Sequence, residues 1–459
     1  MRTVRNDSRS ADFAQLKFAI ESMLESVPDY RLTIPEFPST AKPQTRKLHV
    51  QDRASLKCSD TIPVFGEIRP ILTAETERTV VERDLVREEV ALSSEVWVVK
   101  VGTGVLTRPE GSLDLDRIDR LVDQIGALMD RGKRVALVSS GAVGAAIGEL
   151  NLAGRPDNLP QLQAAAAIGQ SYLMRAYNES FRRLGKHAGQ LLLTHDDFDD
   201  RSRYLNTRNT LRALFEWNAI PVINENDTIS VAEIKFGDND RLAAMVANLL
   251  ESPLLVILSV VDGLYTTDPI ADPSAEVVPL VPRIDESTLG AAGSSRSKLG
   301  TGGMQSKLLA ARLVTRAGGS VIVASGREPD TLTRILAGER VGTLFLAQGR
   351  SHGARHRWIG LTARPRGYYV VDSGARDALV QGNKSLLAIG VVEVSGRFGK
   401  GDVVGVRDRD GFEFARGLTN YDSADAAKIQ GLRADDARIA LGAAPYAELV
   451  HKDNLVLIN

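Results

Sequence analysis

Six short runs made almost wholly of apolar residues recur along the middle of the chain, and the segments between them have the period of an amphipathic helix. The runs are VWVVKV (96–101), RVALVS (134–139), AGQLLLT (188–194), AIPVIN (219–224), LLVILS (254–259) and SVIVAS (320–325). The intervening segments include LDRIDRLVDQIGALMDRG and RNTLRALFEWN. A strand with one face in water alternates apolar and polar residues, whereas a strand without that alternation must be covered on both faces. Strands of this kind, alternating with helices, build an α/β fold: an open, mostly parallel sheet sandwiched by helices. Such sheets bind ligands beyond the carboxyl ends of their strands, so chemistry is expected in the loops that follow these runs.

The flanks have a different texture. Residues 1–92 carry one short amphipathic pattern (Phe13, Leu16, Ile20, Met23, Leu24), a Pro-punctuated stretch and a charged run, ERTVVERDLVREEV. A weakly structured extension with a helix or two at most is expected there; a mis-assigned start codon is the alternative explanation for it. Residues 93–348 are assigned to the α/β domain and 349–366 to a basic linker, with Arg350, Arg355, Arg357, Arg364 and Arg366 read as a solvated connector. From 367 to 459, short Val-rich pieces separated by Gly predict a small β-rich, barrel-like module.

Bulk properties exclude several classes. Lys plus Arg is 57 and Asp plus Glu is 58 in 459 residues, so no global field attracts nucleic acid or an anionic membrane. The single Cys58 rules out an intrachain disulfide framework and fits a reducing, cytoplasmic setting. Six scattered His give no metal-ligand spacing. No apolar stretch approaches the roughly 20 residues that span a bilayer, and the N-terminus lacks the apolar core of a signal peptide.

The strand ends carry the chemistry. The first run continues as VVKVGTGVL, placing Lys100 before Gly102 and Gly104. A lysine leaving a buried strand into a glycine turn sets an ammonium beside backbone N–H groups, which suits a phosphate, although many such turns are only tight turns. It is neither a GxxxxGK(S/T) loop nor GxGxxG. The second run ends VSSGAVG, with Ser139, Ser140 and Gly141 leading a helix whose N-terminus suits a carboxylate. The flanking Gly of a nucleophile elbow is missing, which excludes a serine hydrolase of that type. A third piece, KLGTGGMQSK (298–307), opens a helix with Thr301, Gly302 and Gly303 and brings a second cation, Lys307.

The fourth element is VINENDTISVAEIKFGDND (222–240), which concentrates Asx residues twice in a short span. Asx turns and helix caps explain either half. Together, the amides and acids can hold an ammonium and a carboxylate at once, the groups of a zwitterionic amino acid.

These motifs, in this order, resemble those of the glutamate 5-kinases, a branch of the amino acid kinase family with a C-terminal PUA domain; the resemblance covers roughly residues 94–459. INEND, EIKFGDND and GTGGMQSK are its most specific blocks. The resemblance implies transfer of the ATP γ-phosphoryl group to the γ-carboxylate of L-glutamate, the first step from glutamate to proline, with Mg²⁺ accompanying ATP. It implies that Lys100 and Lys307 flank the migrating group and that Asp240 orients them. Ser140, Gly141, Asn224, Asp227, Asp238 and Asn239 would line the glutamate site. Lys100, Gly102, Ser259, Val260 and the loop Thr301, Gly302, Gly303, Met304, Gln305, Ser306 and Lys307 would contact the nucleotide. The family often has Thr-Asp where this chain has Ser259 and Val260, which leaves only backbone contacts there. It further implies a homo-oligomer, feedback inhibition by proline and a downstream reductase that takes over the labile acyl phosphate. No general base is needed, because the attacking carboxylate is already ionised at neutral pH. Two alternatives stand beside this reading. One is another amino acid kinase, against which the GDND block argues. The other is a PUA-containing RNA-binding protein, opposed by 11 Lys or Arg against 13 Asp or Glu from Gly367 to Asn459.

Overall fold

The computed structural model describes residues 84–229, 238–291, 303–348, 354–442 and 446–458. All six apolar runs form strands: β1 (Val96–Val101), β2 (Arg134–Ser139), β3 (His187–Leu193), β4 (Ala219–Glu225), β5 (Leu254–Ser259) and β7 (Ser320–Ser325). Two short strands, β6 (Leu280–Val281) and β8 (Thr343–Phe345), complete one edge. The order is β3-β4-β2-β1-β5-β7-β8-β6, and every neighbouring pair is parallel except β7 with β8. β4, β5 and β7 are buried at every position, which is why their sequences show no alternation. Separate hydrophobic clusters cover the two faces of the sheet.

The surrounding helices include α1 (Leu85–Ser93), α2 (Leu115–Asp130), α3 (Ala142–Glu149), α4 (Leu159–Arg183), α5 (Arg201–Glu216), α6 (Asp238–Leu250) and α7 (Met304–Arg316). α2 and α4 begin where the side chains of Asp114 and Asn158 accept hydrogen bonds from the N–H groups of Arg117 and Gln161. α6 is apolar around most of its girth, Leu242 to Leu250, and is correspondingly buried. No helix among the described residues is long and apolar enough to cross a membrane.

Two segments differ from the sequence expectation. The charged run before residue 92 was expected to belong to a weakly structured extension, yet its described part is α1, docked on the α/β domain. Arg87 is only 2% exposed, and its guanidinium donates to the carbonyls of Val341, Pro279 and Gly342. Three backbone acceptors offset the burial of its charge. Lys133 Nζ in turn donates to the Ala91, Leu92 and Ser94 carbonyls at the end of α1. Residues 1–83, with the Phe13–Leu24 pattern, lie outside the described residues.

The second segment is the basic linker, whose described part is not a solvated connector. Residues 354–362 are helical, and Trp358 and Ile359 enter the core on one face of the sheet. Trp358 Nε1 donates to the Phe198 carbonyl (2.8 Å), and Arg201 stacks over its ring. The indole decides the segment's fate, since its burial outweighs the solvation of the arginines around it. Beyond it a six-stranded module has its own core. It comprises β9 (Gly367–Val371), β10 (Leu386–Leu387), β11 (Val391–Gly396), β12 (Val403–Arg407), β13 (Glu413–Thr419) and β14 (Glu448–Leu457), in the order β10-β14-β13-β12-β9-β11.

Candidate active site

The carboxyl ends of β1, β2, β4 and β5 lie side by side, with the first turns of α6 and α7 against them. Asp240, in the first turn of α6, is 1% exposed. Its Oδ1 lies 2.6 Å from Lys100 Nζ, and its Oδ2 lies 3.3 Å from Lys307 Nζ. Ser306 Oγ donates to the same Oδ2 at 2.7 Å. Lys100 comes from β1 and Lys307 from α7, and both are nearly as buried as the acid. Burial disfavours the Asp240 charge; the Lys100 and Lys307 ammoniums, with hydrogen bonds from Lys100 and Ser306, overcome it and hold the carboxyl well below the usual range. Burial pulls the Lys307 ammonium below its ordinary pKa, with Asp240 opposing and Lys100 assisting. Two cations on one anion leave a surplus positive charge out of water, an arrangement stabilised by an incoming anion.

Backbone donors border this charge. α7 starts after Gly303 with no side chain capping it, so its leading N–H groups and dipole remain for a ligand. Met304 is half-buried and Gln305 exposed at that end. At the end of β1 the expectation for Gly102 changes: its N–H donates to the Leu258 carbonyl (3.2 Å) and is spent inside the sheet. The N–H groups of Thr103 and Gly104, which lead the helical turn Thr103–Leu106, have no partner among the described residues. Gly104 is where that turn meets the end of β5, for a Cβ there would stand 2.9 Å from Val260 Cγ1. Ser259 is buried and Val260 partly exposed, so the β5 end offers an apolar surface where an acid was the family's habit. Thr301, Gly302 and the side chain of Asp238 lie outside the described residues.

On the other side of Asp240 the amides form a relay. Asn239 Nδ2 donates to Ser140 Oγ (2.8 Å) and to Asn224 Oδ1 (3.0 Å). Asn224 Oδ1 also accepts from the N–H of Glu225 (2.9 Å), and Asn224 Nδ2 donates to Gln170 Oε1 (2.8 Å). The structure thus links Ser140, Asn224 and Asn239, three of the residues that the resemblance assigns to the glutamate site, by direct hydrogen bonds. Gly141, beside Ser140, has φ +111°, a left-handed conformation that a Cβ would strain. Asp227 follows β4, and burial pushes its carboxyl up to about 6, with Arg155 opposing.

Sequence reasoning missed the contribution of α4. Gln170 and Tyr177, two turns apart on one helical face, reach Asn224 and Ser139 respectively; the Tyr177 hydroxyl lies 2.8 Å from Ser139 Oγ. Gly169 makes this approach feasible, because a Cβ there would stand 1.8 Å from the Ala142 carbonyl of α3. The only sequence signal was a Gly-Gln pair interrupting a run of small apolar residues.

The amino acid kinase family model matches residues 95–325, and the PUA domain model matches residues 367–441. A glutamate 5-kinase of Caldanaerobacter subterraneus subsp. tengcongensis is 47% identical over 361 residues, covering 79% of this chain and 97% of that protein. A glutamate 5-kinase of Pseudomonas fluorescens is 49% identical over 363 residues, again covering 79% of this chain and 97% of the relative. Among solved structures, UMP kinase from Bacillus anthracis is similar with a TM-score of 0.40 at 17% identity, covering 56% of this chain and 97% of that one. At 47% and 49% identity along almost the whole length of these curated glutamate 5-kinases, the chain belongs to the glutamate 5-kinase branch of the amino acid kinase family, and it carries a PUA domain.

Proposed function

We propose that this chain phosphorylates the γ-carboxylate of L-glutamate with ATP at the site built around Asp240. The observation that carries the reading is one buried carboxylate shared by the Lys100 and Lys307 ammoniums. An anionic carboxylate must approach an anionic phosphoryl group, and two unit charges about 4 Å apart repel by roughly 4 kcal/mol at an effective dielectric near 20. The surplus positive charge of the Lys100–Asp240–Lys307 group offsets that repulsion. In the transfer, a γ-carboxylate oxygen forms a bond to Pγ as the Pγ–O bond to the β-phosphate breaks. The electron pair leaves with ADP, and glutamyl 5-phosphate remains. The transition state spreads charge over the equatorial oxygens, so positioning and neutralisation supply most of the catalysis.

Asp240 keeps both lysine side chains aimed at the migrating group. Ser140, Gly141, Asn224, Asp227, Asp238 and Asn239 hold glutamate. Ser259, Val260 and residues 301–307 hold the nucleotide, together with the free N–H groups of Thr103 and Gly104. The donor chemistry fits Mg²⁺ carried on the ATP phosphates. Among the described residues no group of three His, Cys, Asp or Glu could cage a metal, and the Asp240 oxygens are engaged by the lysines and Ser306. Mg²⁺ supplies further charge neutralisation on the phosphates. The test is trapping of the acyl phosphate as its hydroxamate with ATP, Mg²⁺ and glutamate. No hydroxamate with glutamate, but a product with aspartate or N-acetylglutamate, would reassign the substrate.

A further inference from the structure

We propose that Gln170 is a positioning residue for the amino-acid substrate, acting through Asn224 to reserve Asn239 Oδ1 for the substrate's ammonium group. The inference rests on the reading that glutamate binds at the Ser140–Asn239 side of Asp240.

The polarity of the relay is fixed at its inner end. The backbone N–H of Glu225 can only donate, so the Asn224 atom facing it must be Oδ1. Asn224 Nδ2 therefore points the other way and needs an acceptor, which Gln170 Oε1 supplies at 2.8 Å. With Asn224 locked between these two anchors, its Oδ1 faces Asn239 and takes a hydrogen from Asn239 Nδ2. The second Asn239 Nδ2 hydrogen goes to Ser140 Oγ. Both donors of Asn239 are then spent, and what remains is its carbonyl oxygen, which is buried and has no hydrogen-bond partner among the described residues. An acceptor held in that state matches an ammonium and rejects a carboxylate or an acylated nitrogen of the wrong shape.

The geometry does not read as a simple core amide. Gln170 is 8% exposed, and its Nε2 is also without a partner among the described residues. A buried amide kept only for packing would be expected to satisfy both ends. Its placement is nevertheless enforced, because neighbouring Gly169 presses α4 against the first turn of α3 more closely than any side chain would allow. The close crossing delivers one acceptor to one donor at the end of β4.

The test compares Gln170→Met, which removes the acceptor at similar volume, with Gln170→Glu, which keeps an acceptor oxygen. Initial rates of hydroxamate formation are measured with varied glutamate and varied ATP, and with glutarate, which lacks the ammonium. For Gln170→Met the expected result is a glutamate KM raised about tenfold, an ATP KM within twofold, and a smaller glutamate-over-glutarate preference. Gln170→Glu is expected to stay within about threefold of the parent and carries the test alone where Met is not tolerated. An unchanged glutamate KM in Gln170→Met overturns the inference. So does loss of glutamate binding in Gln170→Glu, or a general fall in kcat with both KM values unmoved. A parent enzyme that makes no hydroxamate from glutamate would instead remove the reading on which the inference rests, so the two failures are distinguishable.

Discussion

Replacing Asp240 by Asn removes the anion from the Lys100–Asp240–Lys307 group while leaving its shape intact. At an effective dielectric near 20, contacts of 2.6 Å and 3.3 Å correspond to roughly 6 and 5 kcal/mol of attraction. Against this stands the desolvation of three ions, so the net effect is smaller. Removing one partner of a buried ion pair costs about 3–5 kcal/mol, because the charges left behind are uncompensated, and here two ammoniums are left. At roughly 2–4 °C per kcal/mol for a domain of this order of size, Tm falls by about 10 °C. ATP supplies the missing negative charge, so the Tm gain on adding ATP is larger in Asp240→Asn than in the parent. With the lysines no longer aimed, kcat falls about 10²–10³-fold, as when a preorganised charge donor is lost. Calorimetry with and without ATP, alongside hydroxamate trapping, reads all three quantities. The pH sign is clear. A carboxyl held below its ordinary pKa contributes stability that is present above about pH 4 and is lost only as acid reaches its folded pKa. A variant with Tm within about 2 °C of the parent and kcat within about threefold would refute the electrostatic account.

Other expectations follow from single residues. Lys100→Ala and Lys307→Ala each lower kcat by about 10²-fold or more; steady-state kinetics showing near-normal turnover would remove that lysine from the mechanism. Asp227 titrates in the fold at about 6 rather than near 4, so its charge opposes folding above that pH. Asp227→Asn is therefore expected to hold or raise Tm at neutral pH while raising the glutamate KM. The parent's glutamate KM rises as pH falls through about 6, and the variant's does not. His195 is held neutral in the fold, down to about 4, by burial and by the charges of Arg241 and Arg364. The unfolded chain takes up that proton near 6.5, so stability declines from about pH 6.5 toward 4; urea midpoints for His195→Gln should decline less across that interval. Trp358→Ala deletes a buried indole and its hydrogen bond to Phe198; denaturation curves should show a loss of about 3–5 kcal/mol.

What was legible in the sequence was what local chemistry dictates. The double-sided burial of β1, β4, β5 and β7 writes itself as uninterrupted Val, Ile and Leu. The loops after these strands stood out because glycine beside lysine recurs in two of them, and because Asx residues are concentrated twice in a third. β6 and β8, at two and three residues, are too short to carry any period. Arg87 and Trp358 were hidden for a common reason. Each sits in a charged run that composition reads as solvated, and each is buried by partners 160 to 255 residues away in sequence. Gln170 was hidden because a single amide on a buried helical face has no pattern at all. Its meaning comes only from Asn224, 54 residues on.

Convergence on Asp240 is the part that no spacing could have shown, and it places a mechanical demand on the fold. A buried group with net positive charge relaxes unless its backbone is held, since either lysine would gain by swinging toward water. Lys100 is held by a strand paired on both sides, with β2 and with β5. Lys307 is held through α7, whose Leu308, Ala310, Ala311 and Val314 pack into the core. Asp240 is held by α6, and that helix shares one hydrophobic cluster with Trp358 and Ile359 of the linker and with Val403 and Val456 of the C-terminal module. The two lysines are thus restrained by the sheet and by α7, whereas the acid between them is restrained by a helix whose packing includes both segments that follow the catalytic domain. The sequence separates these pieces as catalytic domain, linker and PUA module, but packing makes the last two part of what holds the Asp240 carboxylate still.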